Sequence, residues 1–102
     1  MIVNSKPLQG IRVVDASHVI AGPLASFYLA QLGAEVIKVE KPGEGDVMRG
    51  GGAPSHGDTP DAFVALNAGK HSVCCDIRTE MGSTQVKRLA RKADVFLENS
   101  RP

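Results

Sequence analysis

Apolar positions along the chain change their period several times, and each change marks an element. Ile11, Val13 and Val14 form a short β-branched run after Gly10, which predicts a first strand over residues 11–15. Residues 16–22 read as a loop. Pro23 stands where proline fits the first turn of a helix. Leu24, Phe27, Tyr28 and Leu32 then recur at i, i+3, i+4 and i+8, with Gly33 placed to end that helix. Val36, Ile37 and Val39 predict a second strand over 34–40. Strand, helix and strand in such close succession predict parallel pairing through a right-handed crossover.

Residues 41–60 break the pattern. Pro42, Pro54 and Pro60 are interspersed with glycines at 43, 45, 50, 51, 52 and 57, which predicts a long loop of the kind that is usually functional or mobile. Within it, Gly50, Gly51 and Gly52 suit a flap better than a phosphate cradle. A short helical turn is expected over 61–67 and a third strand over 71–77. Thr79 can cap a helix over 80–92, whose Val86, Leu89, Ala90 and Ala93 share one face. A fourth strand is expected over 94–98. The order β-α-β, loop, β-α-β predicts an α/β fold: a Rossmann-like open, mainly parallel sheet with helices on both faces. No helix is left to cover the last strand, so the domain is expected to be incomplete and that strand uncovered.

Composition narrows the function. The 102 residues are 42% hydrophobic and 23% charged, the balance of an ordinary globular domain. Twelve Lys and Arg against eleven Asp and Glu leave a formal charge of +1. This gives no basis for binding nucleic acid or an anionic membrane, which usually needs a large basic excess. The most apolar stretch, 19–32, contains Gly22, Pro23 and Gln31 and is too short to span a bilayer. With no charged start followed by an apolar run, a cytoplasmic location is expected. Cys74 and Cys75 are adjacent, and on a strand they would point to opposite faces. They are therefore expected to be small strand hydrophobes in a reducing compartment, and no ligand spacing for zinc exists.

In open parallel sheets, ligands bind outside the carboxyl ends of the strands. Those ends are 15–21, Glu40 with Lys41, 75–78, and Glu98 with Asn99 and Ser100. No GxGxxG follows the first strand and no GxxxxGK[ST] occurs, which disfavours a Rossmann dehydrogenase despite Glu40 standing where a ribose-binding acid would. Gly43 to Asp46 is glycine-rich, but Glu44 and Asp46 would repel phosphate. His18, His56 and His71 are too scattered for a metal site, and no metal is expected. Lys38, Lys41, Arg49, Lys70, Arg78 and Arg101 lie near the strand ends or the long loop, where a polyphosphorylated ligand would want several of them.

These features combine into a resemblance. The run from Pro7 through Gly10 to Asp15, then His18 through Gly22-Pro23, then Leu32-Gly33-Ala34 through Glu40, resembles the opening of the family III CoA-transferases. Gly45-Asp46, Arg49, Leu66-Asn67, Lys70, Ser72-Val73, Asp76, Thr79, Ala93-Asp94-Val95, Glu98-Asn99 and Arg101-Pro102 continue it in order. The resemblance implies that 1–102 is the amino-terminal part of a domain that binds coenzyme A, with the rest of the family's chain absent. It places coenzyme A contacts at His18, Val19, Ile20 and Ala21, at Lys41, at Cys75, Asp76, Ile77 and Arg78, and at Asn99 and Ser100. Lys41 stands where an arginine is often found, and Ser100 where an aromatic is common.

The family transfers coenzyme A between an acyl-CoA and a carboxylic acid through an aspartyl intermediate. That aspartate lies beyond residue 102 in the family pattern, so no catalytic residue is expected in this chain. Asp15, Asp46, Asp76 and Asp94 match structural or loop positions. The resemblance also implies an interlocked homodimer for the full-length protein. Two alternatives stay open: a segment of an α-methylacyl-CoA racemase, and a stand-alone CoA-binding module without catalysis.

Overall fold

The structure is a computed structural model and describes residues 5–50 and 60–102. The expected flap at Gly51 and Gly52, together with Pro54, His56 and Gly57, lies outside the described residues. The elements are β1 (Arg12–Asp15), α1 (Ala21–Gln31), β2 (Glu35–Glu40), a 3₁₀ turn (Val47–Gly50), α2 (Asp61–Asn67), β3 (His71–Cys74), α3 (Glu80–Arg91) and β4 (Val95–Leu97). All strand pairs are parallel, in the order β3-β2-β1-β4. The chain steps outward from β1 to β3 and then returns to the far side of β1. Right-handed crossovers then put α1 and α2 on one face and α3 on the other.

Side chains alternate across a strand, so Val13 and Asp15 share one face of β1, and Val36, Lys38 and Glu40 share one face of β2. Near the amino ends of these strands that face is apolar. Val13, Ala34 and Val36 form the core, with Leu8, Ile11, Leu29 and Ala30 packed against it. Toward the carboxyl ends the same face turns ionic, yet Asp15, Lys38 and Glu40 remain buried. The layer that elsewhere is greasy becomes a network of charges directly beneath the strand ends.

Two expected elements differ from the structure. Strand β3 ends at Cys74, although the Cys75 N–H still donates to the Glu40 carbonyl at 2.9 Å. Beyond it Asp76 captures the chain: its carboxylate accepts from the Arg78 N–H at 3.0 Å, and its carbonyl accepts from the Thr79 hydroxyl at 2.8 Å. Such local side-chain bonds compete with the ladder and form a turn. The expected loop from 41 also contains the 3₁₀ turn. Asp46 nucleates it, accepting from the Met48 N–H on its side chain and from the Arg49 N–H on its carbonyl, both at 2.9 Å.

Gly33 ends α1 as expected, with φ at +106° and its N–H donating to the Ala30 carbonyl. Thr79 caps α3 by accepting the Gly82 N–H at 3.0 Å. The last strand is uncovered: β4 is an edge strand, and Val95 and Phe96 are 41% and 48% exposed.

Candidate functional site

A cleft of about 380 Å³ opens over the carboxyl ends of β1, β2 and β3. Its walls come from residues 16–18, 38–41, 45–47 and 75–78. Val39, Val47, Cys75 and Ile77 give it apolar surface, while His18, Lys41 and Arg78 bring polar and cationic groups. Lys41 and Arg78 project into solvent; Lys41 pairs with Glu44 at 3.6 Å, and Arg78 meets Asp76 through two bonds of 3.1 and 3.3 Å. Exposed pairs of this kind are weak, so both cations can exchange partners for an anionic ligand.

Beneath the cleft lies the ionic network. Asp15 accepts from the Ser17 hydroxyl, from the Ser17 N–H at 2.8 Å and from the Ser26 hydroxyl at 2.5 Å, and pairs with Lys70 at 3.1 Å. Burial pushes its carboxyl up, but those hydrogen bonds and the Lys70 charge outweigh burial and hold it below the usual range. Burial pushes the Lys70 ammonium down, partly offset by Asp15. Lys38 donates to the Ser17 carbonyl at 3.2 Å and lies 2.9 Å from Asp46 Oδ2. The latter is a charge contact, since Oδ2 has no aligned hydrogen-bond donor among the described residues.

Glu40 is the third hub. Arg49 meets it through two parallel bonds of 2.7 and 2.8 Å, the Ser72 hydroxyl donates to it, and so does the Asp46 N–H at 2.9 Å. Burial raises its carboxyl, but these donors prevail and lower it from 4.5 to about 2. The Arg49 guanidinium also lies 4.0 Å over the Phe63 ring, tying the 3₁₀ turn to α2. The six charges cancel, so the network fixes the loops around the cleft without adding net field to it.

Of the residues expected at the site, the cleft brings together His18, Lys41, Cys75, Asp76, Ile77 and Arg78. Val19, Ile20, Ala21, Asn99 and Ser100 do not line it. Ala21 opens α1, Ile20 is exposed, and the Ser100 N–H donates to Glu98 Oε2 at 2.8 Å. Asn99 instead grips the His18 backbone, at 3.1 and 2.8 Å.

The cation count changes more. Lys38 and Lys70 are buried in ion pairs and Arg49 is committed to Glu40, so none of the three is available to phosphate. Lys41, Arg78 and the exposed Arg101 remain. Sequence reasoning missed the anchoring hydroxyls of Ser17, Ser26 and Ser72. The usable signal was the phase of β2: Lys38 and Glu40 follow Val36 on the inward face.

The buried Cys75 thiol is pushed up by burial and then by its neighbour Cys74, which keeps it protonated and unreactive. Both cysteines are free. Among the described residues no group of three or more His, Cys, Asp or Glu could hold a metal ion, and no helix is long and apolar enough to cross a membrane.

The sequence pattern of CoA-transferase family III matches residues 8–102. The human succinyl-CoA:glutarate CoA-transferase is 43% identical over 99 residues, covering 97% of this chain and 23% of its own length. The formyl-CoA:oxalate CoA-transferase of Streptomyces avermitilis is 42% identical over 102 residues, covering 96% of this chain and 24% of its own. A crystal structure of a CAIB/BAIF family protein from Brucella suis superposes with a TM-score of 0.88 at 42% identity, over 95% of this chain and 26% of that one. The chain thus spans about a quarter of the length of the relatives it matches.

Proposed function

Because this chain belongs to CoA-transferase family III, we propose that its cleft binds the coenzyme A portion of an acyl-CoA, as the amino-terminal segment of an acyl-CoA:carboxylate CoA-transferase. One observation carries this reading. His18, Lys41 and residues 75–78, which the family resemblance implies as coenzyme A contacts, converge from three separate strand ends on one cleft.

The chemistry of that cleft suits the ligand. Val39, Val47 and Ile77 offer apolar surface against which an adenine can pack. Lys41 and Arg78 at its rim are exposed cations that can exchange Glu44 and Asp76 for phosphates, Arg78 with a guanidinium fork that already meets Asp76 through two bonds. Lys41 supplies a point charge only.

Transfer itself also needs a nucleophile. Asp15, Glu40 and Asp46 are locked into ion pairs beneath the cleft, and Asp76 is engaged by Arg78. We read the chain as a binding element, with the attacking aspartate proposed to lie in the remainder of a full-length protein. We extend the proposal to a homodimeric, cytoplasmic enzyme in that full-length form.

Calorimetric titration of the chain with coenzyme A tests the reading. Saturable binding that Arg78→Ala weakens supports it. Absence of binding at millimolar ligand by a folded chain contradicts it.

A further inference from the structure

The strand order reverses between β1 and β4, and there one side chain holds the backbone of another loop. Asn99, two residues beyond β4, uses both ends of its amide: Oδ1 accepts from the His18 N–H at 3.1 Å, and Nδ2 donates to the His18 carbonyl at 2.8 Å. The two peptide planes flanking His18 are therefore fixed by a group that lies 81 residues away.

The next residue shows why such a grip is needed. Val19 has φ at +71°, in the left-handed region. For a β-branched residue this conformation is strained, and it persists only where the surroundings over-determine it. Asn99 fixes the preceding carbonyl, while the Val19 N–H points to Asp46 Oδ1 at 3.4 Å, a long bond to a carboxylate itself held by Lys38.

The turn is also packed closely. A Cβ placed on Gly22 would lie 2.2 Å from Ser17 Cβ and 3.3 Å from Asn99 Cγ. The Ser17 contact alone excludes a side chain at position 22, and Asn99 closes the turn at the edge of van der Waals contact.

We propose that Asn99 is a positioning residue that holds Val19 in its left-handed conformation, and so sets the wall of the cleft that His18 forms. This differs from the direct ligand contact that the family resemblance implies for Asn99. The ligand half of the inference rests on the coenzyme A reading above; the conformational half does not. Holding the turn in one state raises apparent affinity by removing unproductive conformers.

The test uses isotope-labelled chain as wild type, Asn99→Ala, and Asn99→Ala combined with Val19→Gly. The strong intraresidue amide–Hα NOE of left-handed backbone reports residue 19, and coenzyme A titration reports the cleft. Asn99→Ala is expected to abolish the left-handed signature at Val19 and to weaken coenzyme A at least ~5-fold, because the competent turn is then only fractionally populated. Adding Val19→Gly is expected to recover most of that loss, since glycine enters the left-handed region freely.

A Val19 that stays left-handed in Asn99→Ala, or a double variant that recovers nothing, overturns the proposal. If Asn99→Ala does not fold, Asn99→Asp decides: it keeps the acceptor and loses the donor, and is expected to weaken the NOE, whereas an unchanged NOE overturns the proposal. A wild-type chain that binds no coenzyme A sinks the ligand reading, while the NOE still decides whether Asn99 sets the turn.

Discussion

Lys70 Nζ lies 3.1 Å from Asp15 Oδ2, and neither side chain reaches solvent. The ammonium uses its other protons on the Pro23 carbonyl at 3.0 Å and Asn67 Oδ1 at 2.8 Å, so all three donors are satisfied. Through this one group α1, α2 and the end of β1 are joined. Lys70→Met leaves a buried carboxylate without its counter-charge, and is expected to destabilise the chain by ~3–5 kcal/mol. Lys70→Met with Asp15→Asn removes both charges and is expected to cost less than Lys70→Met alone. Urea unfolding of the two variants checks the order, and equal losses would refute the pairing as the cause.

Acid should act through Glu40. Its folded carboxyl is lowered to about 2 from an ordinary 4.5, so the unfolded chain binds the proton more readily. The stabilisation is therefore complete above the unfolded value and is lost as pH falls from about 5 towards 2. Its full size is on the order of 3 kcal/mol. Asp15 is shifted in the same direction and adds to the loss. In Glu40→Gln the slope of stability against pH over this window should become shallower, which denaturant melts at stepped pH can measure.

Glycine at 82 is fixed by packing. A Cβ there would sit 1.9 Å from the Asp76 carbonyl oxygen, in backbone that cannot swing aside. Gly82→Ala must therefore displace the start of α3 from the turn carrying Asp76 and Arg78, and is expected to cost more than ~2 kcal/mol. Gly50→Ala meets nothing within 4 Å among the described residues and should change stability by less than ~1 kcal/mol. Thermal melts of the two variants make the comparison.

Much of this was legible in the sequence, for reasons that differ by residue. The parallel sheet followed from β-branched runs at 11–15 and 34–40 separated by one helical period, a local signal. Thr79 and Gly33 marked helix ends because capping chemistry is local too. The carboxyl ends of the strands located the cleft, because topology alone puts ligands there.

The fate of individual charges was not legible. Lys38, Arg49 and Lys70 stand near the strand ends, where a polyphosphorylated ligand would want several cations, but no local pattern says which of them reach it. Whether a cation faces ligand or carboxylate depends on partners that are distant in sequence, such as Asp15 for Lys70. Asn99 shows the same limit: its grip on His18 joins residues that no local pattern connects.

At the rim of the cleft, Lys41 and Arg78 carry little mutual structure, being exposed and weakly paired. Arg78→Ala should therefore leave stability nearly unchanged, yet weaken coenzyme A roughly tenfold, the value of one charge-assisted contact of ~1.4 kcal/mol. Lys41→Ala should weaken it less, lacking bidentate geometry. Raising ionic strength should reduce affinity in the wild type more than in Arg78→Ala. Titration calorimetry at two salt concentrations measures both.

The most direct test of the cleft as the coenzyme A site is amide chemical-shift mapping of the labelled chain during titration with coenzyme A. The structure predicts saturable shifts at His18, Lys41 and residues 75–78, with those of the groove between β3 and α3 (Gln85, Leu89 and Lys92) unmoved. Shifts confined to that groove, or none in a folded chain, would contradict the account.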